Sequence, residues 1–239
     1  MIGGVFDGNR GKSSLGSAYV TDTVSKYQRE LSLLLSGSPI RRCKPGEIIF
    51  AEGDVSSRFY FIKKGKFVAT FSNPCGNIKI VAIHAENTFI GDTALGGHRY
   101  YATVTALEES ELYVIEHTHF KSCAMSHPEI SFMIIDSLVR KARLAALQVE
   151  DLSLRKANQR VAHFLLELSN EIGREVDRGI ALEERMTHET LANLTGLARP
   201  TLTGVLSELT GKGAITTKDH RFIILDKKRL ADIADDISD

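Results

Sequence analysis

Hydrophobic and polar positions alternate in short runs between residues 39 and 117. The runs are rich in β-branched and aromatic residues, as in EIIFAEGD, FYFIKKG and IKIVAIHAEN, and Gly, Asn and Pro separate them. Closely spaced short strands of this kind are typical of a small β-sandwich or barrel. The pattern predicts a β-domain over residues 25–126. Residues 1–24 are rich in Gly, Ser and Asp without periodicity, and we expect them to form a flexible arm.

A long helix is predicted after Pro128, a residue that suits the first turn of a helix. The stretch ISFMIIDSLVRKARLAALQVEDLSLRKA contains neither Gly nor Pro. Its apolar positions step by three and four residues along one seam: Ile135, Leu138, Ala142, Ala145, Val149 and Leu152. Such a seam suits pairing with a second copy of the helix, and from periodicity alone it suits packing on the β-domain equally well. Residues 127–152 are the predicted dimerisation helix.

Beyond residue 153 the pattern predicts a helical domain that ends in a β-hairpin and extends to residue 239. NQRVAHFLLELSNEIG and THETLANLTG are predicted to be helices joined by a polar, Gly-containing connection. ARPTLTGVLSELTGKG is predicted to be a further helix, and AITT and RFIIL follow as two short strands about a tight turn. Helix, turn, helix and hairpin is the winged-helix order.

The second and third of these helices are predicted to form a helix-turn-helix with Gly196 in the turn, where a residue without a side chain is useful. Apolar residues that would hold the two helices together are Leu191, Leu194, Leu197, Leu202 and Val205. The N-terminal turn of the last helix would face DNA bases and phosphates. The predicted DNA-binding residues are His188, Arg199, Pro200, Thr201, Thr203 and Lys218.

Composition places the chain among folded globular proteins. Of its 239 residues 43% are hydrophobic and 25% charged, and Lys plus Arg and Asp plus Glu both number 30. Because the net charge is zero, a surface for nucleic acid must be local, and residues 185–229 carry eight basic against four acidic residues. No stretch approaches the roughly 20 apolar residues of a membrane span, so we expect a cytoplasmic protein without a membrane partner. Three distant cysteines predict buried thiols rather than disulfides or a zinc site.

Taken together, these motifs resemble the CRP/FNR superfamily of bacterial transcription regulators over about residues 39–230. The likeness in the β-domain rests on FIGD and on GEIIFAEGDVSSRFYFIKKGK, with Gly46, Glu52, Gly53, Tyr60 and Gly65 at turn positions of the family's jelly roll. The resemblance implies an α+β protein: a double-stranded β-helix (jelly-roll) sensor domain, a long dimerisation helix and a C-terminal winged helix-turn-helix. It also implies a homodimer that binds an inverted repeat in double-stranded DNA, a small-molecule effector and RNA polymerase as a partner.

The predicted effector site departs from that of the family's cyclic-nucleotide binders. Those proteins carry Gly-Glu and then Arg-Ser-Ala, whereas this chain has GDTALGGHRYYATV, with Asp92 in the place of Glu and two tyrosines in the places of Arg and Ser. Without the arginine that neutralises a cyclic phosphate, cyclic AMP is not the expected effector. Arg99 lies one position before Tyr100, which stands in the place of that arginine. A shift of one residue turns a side chain to the opposite face of a strand, so Arg99 is not expected to replace the missing arginine. The candidate residues are Phe89, Gly91, Asp92, Arg99, Tyr100, Tyr101 and, in place of a Thr-Ser pair on the long helix, Ala145 and Ala146.

Two tyrosines favour a flat, partly apolar ligand held by stacking and by phenol hydrogen bonds. The YAT triplet is similar to the halorespiration regulators of the superfamily, which sense halogenated aromatic acids. The alternative is that the tyrosines only fill an empty pocket. No cysteine precedes Cys43, so an iron-sulfur cluster is not expected, and the scattered His84, His98 and Cys75 are expected to be surface or turn residues rather than haem ligands. No metal or cofactor is therefore predicted.

The recognition helix also departs from the family pattern Arg-Glu-Thr-Val-x-Arg, because residues 199–204 read RPTLTG. The loss of Glu and of the second Arg predicts a different base specificity. The function expected from these observations is a homodimeric transcription regulator controlled by a small effector other than cyclic AMP. The alternative is a sensor module whose winged helix docks a protein partner. An enzyme is not expected, because the chain has no Gly-rich phosphate loop and no recognisable nucleophile arrangement.

Overall fold

The computed structural model describes residues 19–20, 24–183, 185–219 and 221–235. The chain divides into two compact units, the first with residues 19–20, 24–71 and 80–143 and the second with residues 72–79 and the described residues from 144 onward. One division falls on a long helix, between Arg143 and Leu144. Most of the predicted arm, residues 1–24, lies outside the described residues. Of that segment, Tyr19–Val20 forms a strand and Val24 is fully buried. Within the described residues no helix has the length and apolar character needed to cross a membrane.

The first unit contains a β-sandwich, which confirms the predicted jelly roll. Its strands are β1 (Tyr19–Val20), β2 (Ile40–Cys43), β3 (Ile48–Phe50), β4 (Arg58–Lys64), β5 (Phe67–Ser72), β6 (Ile78–His84), β7 (Phe89–Ile90), β8 (Thr103–Ala106) and β9 (Ser110–Glu116). One sheet has the order β1-β6-β5-β8-β3 and the other β2-β9-β4-β7. In β8 the alternation predicted from sequence is visible, because Val104 and Ala106 are buried while Thr103 and Thr105 are half-exposed.

Three helices accompany the sandwich: α1 (Gln28–Leu35), α2 (His117–Ser126) and α3 (Glu129–Leu154). The first turns of α3 bury Ile130, Met133 and Ile134 in one cluster with Phe59 and Phe89 of the sandwich. Burial of apolar side chains of this size is the main force that holds α3 against the first unit.

The exposed apolar face of α3 differs from the predicted seam. Ile135, Ala142 and Val149 are exposed as expected, whereas Leu138 is half-buried and packs against the core of the sandwich. We define the exposed stripe as Phe132, Ile135, Val139, Ala142, Ala146 and Val149. These positions alternate steps of three and four residues and therefore share one face of the helix. Ala145 and Leu152 are exposed beside this stripe.

The second unit is a winged helix-turn-helix, as predicted. Its elements are α4 (Ala157–Ile172), β10 (Gly173–Val176), β11 (Gly179–Leu182), α5 (His188–Thr195), α6 (Arg199–Gly211), β12 (Ile215–Lys218), β13 (Arg221–Ile224) and α7 (Lys227–Ala234). The strands form one sheet in the order β10-β11-β13-β12. The connection after α4, predicted from sequence only as polar and Gly-containing, forms the β10–β11 hairpin, and β11 also pairs with β13 through Ile180 and Ala181.

Local sequence explains the helix-turn-helix. Thr187 caps α5 by accepting a hydrogen bond from the backbone N–H of Thr190 at 3.0 Å. Gly196 ends α5 in the left-handed region with φ +68°, where a side chain would be strained. The apolar residues predicted to join α5 and α6 are buried except for Leu197, which is half-buried: Leu191, Leu194, Leu202 and Val205.

Two glycines in the sandwich allow a matched test of packing. Gly65 and Gly53 both have positive φ, +95° and +84°, so alanine at either position is strained by about 1 kcal/mol or more. A Cβ on Gly65 would also lie 2.1 Å from Ser110 Oγ, whereas a Cβ on Gly53 meets nothing within 4 Å. We expect Gly65→Ala to lower the free energy of unfolding by roughly 1–3 kcal/mol more than Gly53→Ala, as measured by urea denaturation. Equal losses would contradict the described close approach.

Candidate functional site

A small cavity lies inside the first unit between the sandwich and α3. Its walls are aromatic (Phe50, Tyr100, Tyr101), aliphatic (Ala69, Ile90, Ala102, Val104) and polar (His84, Asp92, Thr93, Lys141), with Gly91 between them. The volume of the cavity that the centre of a water molecule can occupy is only about 20 Å³. That space holds about one water molecule. A ligand of larger size must therefore displace side chains of the wall.

A buried ion pair lies on the polar side of the cavity. Lys141 on α3 donates a hydrogen bond from Nζ to Asp92 Oδ1 and a second one to the carbonyl of Phe89 at 2.8 Å. Ser137, one turn earlier on α3, donates to Asp92 Oδ2 at 3.1 Å. The side chain of Asp92 is fully buried and that of Lys141 is 11% exposed. Because a buried carboxylate is costly unless it is paired, Asp92 holds α3 to the sandwich through these contacts.

The backbone before Asp92 places its carboxylate in the cavity. Gly91 adopts the left-handed conformation with φ +79° and starts a short 3-10 turn over Asp92–Ala94. A Cβ at Gly91 would lie 3.0 Å from Cε1 of Tyr100 and 3.3 Å from Cε1 of Phe50. Glycine is therefore required here both by the backbone angle and by the aromatic wall.

His84 is a polar residue of the cavity wall that the sequence analysis placed wrongly. It ends β6 and is only 3% exposed, so it is not a surface or turn residue. Its Nδ1 atom has no hydrogen-bond partner among the described residues. Burial lowers the pKa of His84 well below its usual range, and the charge of Lys141 lowers it further. The imidazole is therefore neutral at physiological pH.

The two tyrosines have different environments. Tyr100 is buried, its ring stacks on Phe50 with centroids 3.8 Å apart, and its hydroxyl donates to the carbonyl of Arg58 at 2.6 Å. Its hydroxyl is thus engaged with the backbone, and its ring forms part of the cavity wall. Tyr101 is 43% exposed and meets the ring of Phe71 edge-on at 5.9 Å. Desolvation and the charge of Asp92 raise the pKa of Tyr101, so both phenols are neutral at physiological pH.

Several predicted effector residues lie outside the cavity. Arg99 is exposed, pairs with Val55 in an isolated bridge and donates to the carbonyl of Gly53 at 2.6 Å. Phe89 packs in the core, and only its carbonyl reaches Lys141. Ala145 and Ala146 are exposed on the part of α3 that belongs to the second unit. In contrast, Gly91, Asp92, Tyr100 and Tyr101 line the cavity as the sequence analysis expected.

Lys141, Ser137 and His84 were missed by the sequence analysis. Ile130, Ile134, Ser137 and Lys141 step by four, three and four residues, so they continue one face of α3. A serine and a lysine at the buried positions of an amphipathic helix are a usable signal, since charged residues are rarely buried without a partner.

The recognition helix α6 presents a polar face and buries the opposite one. Arg199, Pro200, Thr201 and Thr203 are exposed, as predicted for residues that contact DNA. Pro200 lies in the first helical turn, where no backbone hydrogen bond is lost. The hydroxyl of Thr203 donates to the carbonyl of Arg199 at 3.0 Å. That hydroxyl is therefore already bonded within the helix.

The remaining predicted DNA-binding residues lie near the wing. His188 is half-buried, and its ring stacks on Phe222 with centroids 6.4 Å apart. Lys218 on β12 lines an open cleft together with Arg185, Arg221 and Asp219. This cleft carries three cations against one carboxylate, which gives the wing a local positive charge.

The residues weighed as metal or redox ligands lie apart from one another. Cys43 is buried, Cys123 is half-buried and Cys75 is exposed, so the expectation of three buried thiols was wrong for Cys75. His98 is exposed as expected. In the part of the chain that the structure describes, no three His, Cys, Asp or Glu side chains lie close enough to hold a metal ion.

Two domain families match the chain. Residues 40–127 match the cyclic nucleotide-binding domain, and residues 159–233 match the Crp-like helix-turn-helix domain. The chain is 27% identical over 188 residues to the CRP-like cAMP-activated global transcriptional regulator of Mycobacterium tuberculosis. The aligned region covers 78% of this chain and 84% of that protein. It is 25% identical over 195 residues to the global nitrogen regulator of Synechococcus elongatus. That aligned region covers 80% of this chain and 84% of the regulator.

Solved structures share the fold over most of the chain. The structure of CprK in complex with OCPA has a TM-score of 0.72 at 16% identity and covers 91% of this chain and 98% of that one. A transcriptional regulator of the CRP family from Thermus thermophilus has a TM-score of 0.66 at 25% identity and covers 82% of this chain and 96% of that one.

The neutral His84 predicts a pH dependence of stability. Its pKa in the folded protein lies well below the unfolded value of about 6.5, so the unfolded state binds the proton first as the pH falls. Below about pH 6.5, His84 should cost the protein up to about 1.4 kcal/mol of stability per pH unit, and above that pH its contribution is constant.

Replacing His84 tests this directly. His84→Leu should show a shallower loss of unfolding free energy between about pH 6.5 and 5 than the parent protein, as measured by urea denaturation at each pH. His117, whose pKa burial also lowers, remains in both proteins and so cancels in the comparison. Parallel curves for the two proteins would show that His84 does not titrate with folding.

Proposed function

The chain belongs to the CRP/FNR superfamily of transcription regulators, with an effector-binding domain and a DNA-binding helix-turn-helix. From this premise we propose that it acts as a homodimer that binds an inverted repeat and whose DNA affinity is set by a small effector in the cavity of the first unit. Its relatives are transcription regulators rather than enzymes.

The observation that carries this proposal is the dual role of α3. One face of the helix carries Lys141, which lines the cavity, and Ser137, which bonds to Asp92 of its wall, and the exposed stripe occupies another face of the same helix. A ligand that changes the contacts of Lys141 therefore acts on the element that offers the surface for a second copy. A ligand can shift a two-state protein only if it binds the two states with different affinity, and contacts to α3 provide such a difference.

The exposed stripe supports the homodimer. Phe132 and Val149 are 64% and 62% exposed in the single chain, and Ile135 and Val139 about half. Apolar side chains repeated every three and four residues form the seam of paired helices, where each inserts between residues of its partner. Pairing would remove this stripe from water, which is the driving force for association.

The walls of the cavity support an effector other than cyclic AMP. No arginine is found among the described residues that line it, and both oxygens of Asp92 are engaged by Lys141 and Ser137, so Asp92 is not free to hold ribose hydroxyls. Aromatic rings on one side and a single lysine on the other suit a planar aromatic acid, as proposed from the two tyrosines. The relative from Mycobacterium is named as activated by cAMP, and this chain would differ from it in ligand.

The polar face of α6 supports DNA recognition. In a dimer, the two copies of α6 would enter successive major grooves about 34 Å apart on an inverted repeat. Arg199 is the exposed residue of the first turn best suited to bind guanine, because its guanidinium can contact O6 and N7 together. Lys218, Arg185 and Arg221 would contact phosphates, which position the protein without reading sequence.

The test of this function is the selection of bound duplexes from a random DNA pool, followed by affinity measurements at fixed salt. We expect an enriched inverted repeat, and Arg199→Ala should weaken binding by about 10- to 100-fold and relax the preference at one base pair. Thr210→Ala is the matched control, because Thr210 is exposed at the other end of α6 and should have little effect.

Selection without an enriched sequence, with effector candidates and with cell extract present, would reject specific DNA recognition. It would favour the alternative in which the winged helix docks a protein partner.

Two adjacent alanines test the dimer and its register. Ala146 lies in the exposed stripe, whereas Ala145 belongs to the seam predicted from sequence and is exposed beside it. A buried, unpaired carboxylate is unfavourable, so Ala146→Asp should shift the protein from dimer to monomer in analytical ultracentrifugation, while Ala145→Asp should remain dimeric. The reverse result would support the seam predicted from sequence, and two dimeric variants would show that α3 is not the interface.

A further inference from the structure

The cation of the cavity is already neutralised by an acid of the same chain. We propose that Asp92 is an internal counterion that occupies the anion subsite on Lys141, and that an anionic effector binds by displacing it. This inference rests on the proposed function and adds to it how the effector is admitted and what its binding releases.

The hydrogen bonds around Lys141 define the subsite. Within the described residues, its ammonium uses two of its three N–H donors, on Asp92 and on the carbonyl of Phe89. Among the described residues that line the cavity, Asp92 is the one carboxylate and Lys141 the one permanent cation. The other titratable groups that face the cavity are His84, Tyr100 and Tyr101, which are neutral at physiological pH. Lys141 is therefore the group to which a ligand's acid can bind as an ion pair.

Two carboxylates compete for that single ammonium. In a site with little water, two carboxylates that share one cation repel each other strongly, so the acid of a ligand competes with Asp92 for Lys141. The cavity has space for only about one water molecule, so a ligand must also displace part of the wall. Asp92 is the part of the wall that is bonded to Lys141, and an acid that binds this lysine takes its place.

Departure of Asp92 has a defined structural consequence. The carboxylate leaves Lys141 and Ser137 together, and with it two hydrogen bonds that join the 3-10 turn at Asp92–Ala94 to α3 are lost. Gly91, in the left-handed region, precedes this turn and permits its backbone to change direction. The effector then holds Lys141 in place of Asp92, and α3 is no longer tied to the turn.

Replacement of Asp92 has opposite effects on effector affinity in two cases: when Asp92 competes with the effector, and when Asp92 binds the effector. An acid that binds the effector would lose affinity when it is replaced. A counterion that competes with the effector would instead raise the affinity for anions when it is replaced, because Lys141 then lacks an anionic partner.

The experiment measures binding of phenylacetate, with its neutral analogue phenylacetamide as the second probe, by isothermal titration calorimetry. Asp92→Ala, and Asp92→Asn, which keeps the shape of the residue but replaces one of its two acceptor oxygens by a donor and removes the charge, should bind phenylacetate about 10-fold or more tightly than the parent protein. The affinity for phenylacetamide should not rise. Adding Lys141→Met to Asp92→Asn should abolish the gain.

Glu47→Ala provides the matched control for a freed cation. Glu47 pairs with Arg41 at 2.8 Å in the same unit, but both side chains are about one-third exposed. Removing it should not raise the affinity for phenylacetate, because water solvates the released arginine. Circular dichroism checks that each variant is folded. If Asp92→Ala does not fold, the comparison with the parent protein is made with Asp92→Asn.

Phenylacetate affinity that is unchanged or weaker in a folded Asp92 variant overturns the inference. Because this readout involves no DNA, its failure is distinct from failure of the proposed function. An enriched operator with no gain in anion binding would reject only the internal counterion. If the Asp92 variants bind phenylacetate more tightly but the anion leaves their operator affinity unchanged, control of DNA binding by an effector in the cavity is rejected.

Discussion

Asp92 and Lys141 place a full negative and a full positive charge inside an apolar cavity, and each makes the other tolerable. Each charge is costly without the other, since removing one partner of a buried pair typically costs about 3–5 kcal/mol. The pair is made by a turn of the sandwich and by α3, with Ser137 completing the hydrogen bonds of the carboxylate. The position of α3 on the first unit is therefore set by electrostatics as well as by the apolar cluster around Ile134.

Much of the architecture could be predicted from the chain, because local patterns determine it. The turn at Gly196 and the apolar residues on either side of it predict the helix-turn-helix, and the structure confirms both. The hairpin of β10 and β11 was missed because its strands are short and mostly exposed, and their stability comes from pairing with β13, a contact that no local pattern records.

The candidate site was less predictable than the fold. Asp92 and Tyr100 were found because a family motif marks their positions, but Lys141 was not, because α3 carries charged residues on several faces. The register of the exposed stripe shows the same limit. Both possible seams contain Ile135 and Val149, and periodicity could not separate them. Leu138, which belongs to the seam predicted from sequence, packs on the core of the sandwich, and that contact depends on tertiary structure.

The four-stranded sheet of the second unit has a consequence for how that unit folds. Its central contact joins Ile180 of β11 to Ile224 of β13, two residues separated by the whole of α5 and α6. Closing a long loop is entropically unfavourable until the contacts inside it are formed. We therefore expect the helices to assemble first and the wing to join late. A nascent chain would thus acquire its recognition helix before it acquires the sheet beside it.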